Sequence, residues 1–454
     1  MPNPGHNERD KKVNNKMLSC LYHSGGNSTT VRELCNVEGI RCMELDEGNI
    51  KESKVILILD TVNNPLIPRL KNKVIIICSE VESNFHASNK IYYLPKYFSE
   101  LIGPTTASFH SFSFDTNLIE YVSDIDRCYI FSYFRRLLRK VFIFTEGLYR
   151  HIWYYPKGHK NVFTFRIDAD GYDGKSIEHA HKFAINHKLS FSWFVDVYPA
   201  KDYLSHYAEL NDQGQDIQLH CYRHLHYKGY KKLQRNINTG MQLLQDALHK
   251  PVTGFAEPFS RWNENLQKVI NDLGFEYSCE FSWGFDCFPL RPFYFGGLSN
   301  SFQIPVHPIC IGILRNAGYS TRMMIDYFEL HIKRMLQEDL PLMLYSHPIG
   351  EMDKYPEVVN EIFHKIRNYP SIWLGNYQQW ITFWKRRQNI LHSTDVADSN
   401  LEIREYNQTS EDEFHSTLSL DQPRISLWNK IKFHLRTEAN PILWMYRILF
   451  GWGL

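Results

Sequence analysis

Two acidic residues at alternate positions, Asp168 and Asp170 in FRIDADGYDG, follow an apolar run and precede Gly171 and Gly174. Carboxylates placed this way at a strand end can divide the work: one ligates a metal while the other takes a proton from water. The same Asp-x-Asp-Gly pattern also builds turn caps and Asx turns, so alone it decides nothing. Downstream, IQLHCYRHLHY sets His220 and His224 one helical turn apart if a helix begins there, and two imidazoles on one face can hold one ion. His226 is a substitute ligand by type, but its spacing puts it on a different face. A solvated polar face would show the same histidines. Together, however, one Asp and two His make a common three-ligand set that leaves coordination positions for water and substrate. His347, at the end of the apolar run in LMLYSHPIG, offers an imidazole that can donate a proton to a leaving group.

The elements that must position these residues alternate in type from Lys160 onward. VFTFRID reads as a strand, Ser176 to His187 as a helix, and LSFSWFV and IQLH as strands. A helix follows around Tyr230 to Leu248, then GFAEPF, a helix around Glu264 to Leu273, and the FEYSCE piece. An amphipathic helix from Thr321 to Gln337 leads into the strand LPLMLYSH. Strand and helix repeating in this way indicate a parallel sheet or a β/α barrel. Asp168, His220, Glu257 and His347 each fall at the end of an apolar strand, the edge that builds the active site in β/α barrels.

Taken in order, these motifs resemble the polysaccharide deacetylase (NodB-homology) family over about half the chain, roughly residues 160 to 390. That family runs an Asp-Asp-Gly strand end, His-x-x-x-His, an Arg-x-Pro-Tyr-like loop, an Asp/Trp segment and a Leu-x-His strand. FRIDADG is similar to the first motif in the Asp-x-Asp form of divergent members. The resemblance implies Asp168 as general base, Asp170, His220 and His224 as metal ligands, and His347 as general acid. The third motif departs from the pattern: FAEPFSRW has Ala256 where the family has its Arg and Phe259 where it has Tyr, while Pro258 fits. The family's Arg orients the base, so Arg166 or Arg261 is expected to stand in, or Glu257 to join the site. The backbone N–H of Phe259 is expected to help hold an oxyanion. Asp286, or Glu280 before it, is expected to orient His347.

The fold implied is α/β: a deformed β/α barrel with fewer strands than the regular eightfold form, preceded by a small α/β domain. The cofactor implied is a divalent metal, Zn²⁺ first, with Co²⁺, Mn²⁺ or Ni²⁺ as alternatives. The reaction implied is removal of an N-acetyl group from an amino sugar in a glycan or glycan precursor. Two other readings stay open. The missing third-motif Arg suits a retired carbohydrate-binding or assembly protein on the same scaffold, and the scaffold also hosts amidases and esterases of non-sugar substrates.

Outside this region the chain gives broader guidance. Its 454 residues favour more than one folding unit, and 43% hydrophobic with 22% charged residues suits an ordinary globular protein. A net charge of +1 lacks the basic field of a nucleic-acid binder. Nine cysteines without a CxxC pair, and a polar first segment with no secretory pattern, point to a reducing, cytoplasmic setting. Residues 1 to 30 read as a flexible tail, and residues 31 to 130 as the small α/β domain, with buried strands at Val55 to Leu59 and Val74 to Ile77. Residues 131 to 159 read as a connecting helix, packed between domains or touching a membrane. Residues 391 to 424 read as a polar linker, and 425 to 454 as an amphipathic segment, either docked on the body or making peripheral contact with the inner membrane face.

Overall fold

The structure, a computed structural model, describes residues 18–24, 28–59, 70, 73–79, 91–95, 107–111, 118–391, 398 and 400–407. The expected amphipathic segment 425–454 lies outside the described residues. Among those described, no helix is long and apolar enough to cross a membrane.

The first unit contains β1 (Cys20–Ser24), α1 (Ser28–Glu38), β2 (Arg41–Glu44), β3 (Val55–Ile58), β4 (Val74–Ser79) and β5 (Ile91–Pro95). The strands form a parallel sheet in the order β2-β1-β3-β4-β5. Alternation along β3 sends Val55 and Leu57 into the main core and Ile56 and Ile58 into a smaller cluster with Tyr22 and Ile75. Both faces of the strand are covered, so its run is apolar throughout rather than alternating. Strand β1 falls inside the segment expected to be a flexible tail; its five residues are short and mixed, too little pattern to stand out.

A two-stranded antiparallel pair, β6 (Ala107–Ser111) and β7 (Ile119–Ser123), precedes α2 (Arg127–Glu146). Asp126 caps α2 by accepting from the Tyr129 N–H, and Gly147 ends it at φ 72°, a left-handed value that glycine takes without strain. The expected connecting helix therefore starts earlier and stops sooner than residues 131 to 159, and its last part is β8 (Leu148–Ile152).

The second unit begins with β9 (Asn161–Ala169), all nine residues of which are buried. It continues through α3 (Gly174–Asn186), β10 (Ser192–Asp196), α4 (Val197–Ala200), α5 (Leu204–Asp212), β11 (Asp216–Cys221) and α6 (Tyr230–Leu248). Then follow β12 (Gly254–Phe255), α7 (Glu264–Asp272), β13 (Tyr277–Ser278), the small hairpin of β14 (Phe293–Tyr294) and β15 (Gly297–Leu298), and β16 (Phe302–Gln303). The last part comprises α8 (Ile311–Asn316), α9 (Thr321–Gln337), β17 (Leu342–Ser346), α10 (Pro356–Arg367), β18 (Ile372–Leu374), α11 (Tyr377–Leu391) and β19 (Ile403–Asn407). The sheet runs β16-β13-β12-β11-β10-β9-β17, with β18 also on β9, and every pairing is parallel. No ladder joins β16 to β17; instead the His307 N–H, just beyond β16, donates to the Met343 carbonyl in β17 at 2.9 Å. This is a deformed β/α barrel closed by a seam rather than by a strand pair, as the sequence leads one to expect.

The two units share one apolar core. Strand β19, within the expected polar linker, pairs antiparallel with β8. The buried Arg387 guanidinium of α11 donates to the carbonyls of Asn36, Ile152 and Trp153. Glu38, at the end of α1, accepts from the hydroxyls of Tyr149 and Tyr154. Between these groups the chain turns at Gly39, φ 82°, where a Cβ would lie 2.4 Å from the Ile152 carbonyl oxygen.

Candidate active site and metal centre

Because β11, β10, β9 and β17 are consecutive neighbours and parallel, their carboxyl ends deliver side chains to one edge. Strand β9 carries Asp168 and is followed at once by Asp170; β11 carries His220; His347 follows β17. His220 Nε2 and His224 Nε2 lie 3.1 Å apart. Asp170 closes the triangle, with Oδ1 3.2 Å from His220 Nε2 and Oδ2 3.3 Å from His224 Nε2. Donors about 2.0–2.2 Å from one ion, at tetrahedral or octahedral angles, stand roughly 3–3.5 Å from one another.

Three details fit this set to a divalent cation. The His220 Nδ1–H donates to the Ala256 carbonyl at 2.6 Å, which leaves the Nε2 lone pair facing Asp170. Asp170 Oδ1 is buried and makes no hydrogen bond. Burial opposes a charged Asp170, and positive charge at His224 and His220 outweighs it and holds the carboxyl well below its usual range, a charge that a bound cation would supply when the imidazoles are neutral. The histidines do not meet on a helix as their spacing suggested: His220 belongs to a strand, and His224 returns to it through the following bend. His226 takes no part, since its Nδ1 is 2.8 Å from Glu257 Oε1. Burial pushes His226 down to about 4 and Glu257 well up, so this pair is a neutral hydrogen-bonded one beside the centre.

Asp168 faces the buried Arg166, with Nε to Oδ1 at 2.5 Å and a terminal nitrogen to Oδ2 at 2.7 Å. The other terminal nitrogen donates to the Cys279 carbonyl at 2.8 Å, so the guanidinium is itself fixed. Of the two arginines expected to replace the absent third-motif Arg, this geometry selects Arg166; Arg261 lies over the rings of Tyr121 and Phe259. Phe259 sits at φ 59° and Ser260 at φ 47°, a left-handed turn that brings the Phe259 ring edge-on to His224, centroids 4.8 Å apart.

Residues 168–278 match the family model described as polysaccharide deacetylase. The chain carries a polysaccharide deacetylase-family domain. No curated protein matches the chain. Among solved structures, a Mycobacterium smegmatis protein assigned as a polysaccharide deacetylase is similar at 14% identity and TM-score 0.45, over 52% of this chain and 93% of that one. A CE4 family pseudoenzyme from Bacillus anthracis shows 13% identity and TM-score 0.35, over 50% and 68%. A family 4 carbohydrate esterase from Streptomyces lividans shows 14% and 0.34, over 48% and 93%.

Beyond the matched segment, the barrel brings His347 to the same centre, Nε2 3.5 Å from Asp170 Oδ2. The expectation that Asp286 orients this imidazole is corrected: Asp286 binds His307 instead, at 2.9 Å. Glu280 does not serve either, as it accepts from Ser278 Oγ at 2.8 Å. The partner of His347 is Glu351, with Oε1 2.8 Å from Nδ1 and Oε2 accepting from Ser346 Oγ at 2.8 Å. Burial works against an imidazolium here, but the Glu351 charge outweighs it and lifts His347 well above its ordinary range. Glu351 went unseen in the sequence because it reaches back across an irregular turn, with Gly350 at φ 78°. Asp196, at the end of β10, was missed too; burial pushes it up to about 6 against the pull of His220 and His224. The strand-end rule that selected Asp168 would have found it.

Proposed function

We propose that this domain is a divalent-metal-dependent hydrolase that removes N-acetyl groups from an amino sugar in a glycan or glycan precursor. Asp170, His220 and His224 would hold the ion, which supplies Lewis acidity to the acetyl carbonyl and to water. Asp168 accepts the proton of the attacking water, and the Arg166 fork keeps both of its oxygens in place. His347, with Nδ1–H committed to Glu351, presents Nε2–H to the amine as it departs, releasing acetate and a free amino sugar. The Phe259 N–H is assigned to the developing oxyanion. The single observation that carries this reading is the convergence of two imidazoles and one carboxylate at 3.1–3.3 Å beside an Arg-held carboxylate. That same Arg166 contact supports a working site over a retired scaffold, because it fills the role that Ala256 vacates.

The test is acetate release from N-acetylated amino-sugar oligomers by protein loaded with Zn²⁺, alongside Asp168→Asn and His220→Ala/His224→Ala. We expect Asp168→Asn to lose ~10²–10⁴-fold in kcat and keep its metal, and the double variant to lose both metal and turnover. Normal turnover by Asp168→Asn removes the base assignment; no acetate from any such substrate removes the reading.

A further inference from the structure

Three residues of the barrel seam form a second cluster that the proposed reaction does not use. Asp286 lies in the loop after β13, His307 just beyond β16, and His331 on α9, and all three are buried. His307 Nδ1 is 2.9 and 3.0 Å from the two Asp286 oxygens, and its Nε2 is 3.0 Å from the Tyr327 hydroxyl oxygen, one turn before His331 on the same helix. The His307 and His331 rings lie over one another, centroids 3.7 Å apart. His331 Nε2 makes no hydrogen bond; Asp286 Oδ1, at 3.8 Å, is too far for one. One donor atom from each of the three residues falls within 4.8 Å of the others. Asp286 also holds a left-handed backbone, φ 49°, which a non-glycine residue keeps only when its surroundings enforce it.

We propose that Asp286, His307 Nδ1 and His331 Nε2 bind a second divalent cation of the zinc class, which clasps the seam of the barrel. Two imidazoles and a carboxylate are a zinc-type donor set, and the second Asp286 oxygen supplies a fourth donor. The Tyr327 oxygen accepts His307 Nε2–H in this arrangement, which fixes the tautomer that leaves Nδ1 bare for the ion. An orphaned, buried imidazole nitrogen costs free energy, and a cation between it and the carboxylate satisfies it. Arg334 and Asp126 act on the same carboxylate with opposite signs. The ligands join the loop after β13, the segment beyond β16 and the helix leading into β17, the part of the barrel that lacks a strand ladder. With its ligands buried on three elements, the site is structural rather than substrate-binding.

The experiment is elemental analysis of the full chain dialysed against micromolar Zn²⁺, for wild type, His220→Ala/His224→Ala, and that double variant with His331→Gln. Two, one and no equivalents are expected. One equivalent in both wild type and the double variant would keep the seam site and remove the Asp170 centre. No ion in the double variant overturns the seam proposal. Because His331→Gln can itself disturb folding, Co²⁺ is also added to the double variant with its seam residues intact. Visible ligand-field bands of a four-coordinate nitrogen and oxygen site, with a rise in Tm, are expected; their absence overturns the proposal independently.

Discussion

Arg166 and Asp168 stand two positions apart on β9, on the same face of the strand, and meet through two hydrogen bonds of 2.5 and 2.7 Å. The pair makes the proposed base and its orienting group neighbours on one strand, so no loop has to fold correctly for the two to meet. Its cost is a buried charge whose loss would leave another unpaired.

Replacing Arg166 by Gln should lower kcat by ~10²-fold while metal content stays at the wild-type level. Arg166→Lys should recover little, since a point charge cannot reproduce the fork that meets both oxygens. Steady-state kinetics with parallel elemental analysis checks this. Full activity in Arg166→Gln would show that Asp168 needs no positioning.

Glu351→Gln should reduce kcat by roughly 10-fold or more with KM little changed, because His347 loses the carboxylate that holds Nδ1–H. Kinetics on the purified variant decide it. A changed KM at constant kcat would move Glu351 from proton transfer to substrate binding.

Glu280 is buried, and burial pushes it up to about 8, with the Ser278 hydroxyl pulling the other way. An acid raised in the folded state favours folding most at low pH, where it is protonated in both states. Its contribution is complete below its unfolded value near 4.5 and is lost as pH rises through about 8. Glu280→Gln should remove that slope and, by pH 8, be the more stable protein by an amount of order 1–3 kcal/mol. Urea titrations at pH 5 and pH 8 measure it; equal pH dependence in both proteins would contradict the assignment.

Gly39→Ala combines a left-handed backbone with a Cβ pressed against the Ile152 carbonyl and Arg387. We expect a loss of ~2–4 kcal/mol, seen as a lower Tm of the whole chain because the core is shared. A Tm drop confined to a separate early transition would mean that the two units unfold independently.

What could be read in the sequence follows from where each signal is stored. Helices α6 and α9 match their expected spans because amphipathic spacing over seventeen or more residues is repeated many times. Asp168, Asp170, His220 and His347 were visible because parallel strands place their last residues at one edge, whatever the loops do. His224 comes to lie beside His220 through a bend rather than through the helix its spacing suggested. Asp286 was misassigned because its partners His307 and His331 are distant in sequence and each looks like an ordinary buried histidine. Contacts of that kind depend on how β16 and α9 meet, which no local pattern records.

The pairing of β9 with β17 sets Ser346 opposite Ile167, and so brings the residues just after them, His347 and Asp168, to the same level of the sheet. The separation of the proposed proton donor and proton acceptor is therefore measured out by the backbone ladder, like marks on a ruler. Sliding that ladder by one residue would turn His347 to the opposite face. Insertions between α9 and β17, or changes in the loops that contact substrate, leave the ruler unaltered. The fold can thus exchange its substrate-facing surface freely while the spacing of Asp168 and His347 across the sheet edge stays constant.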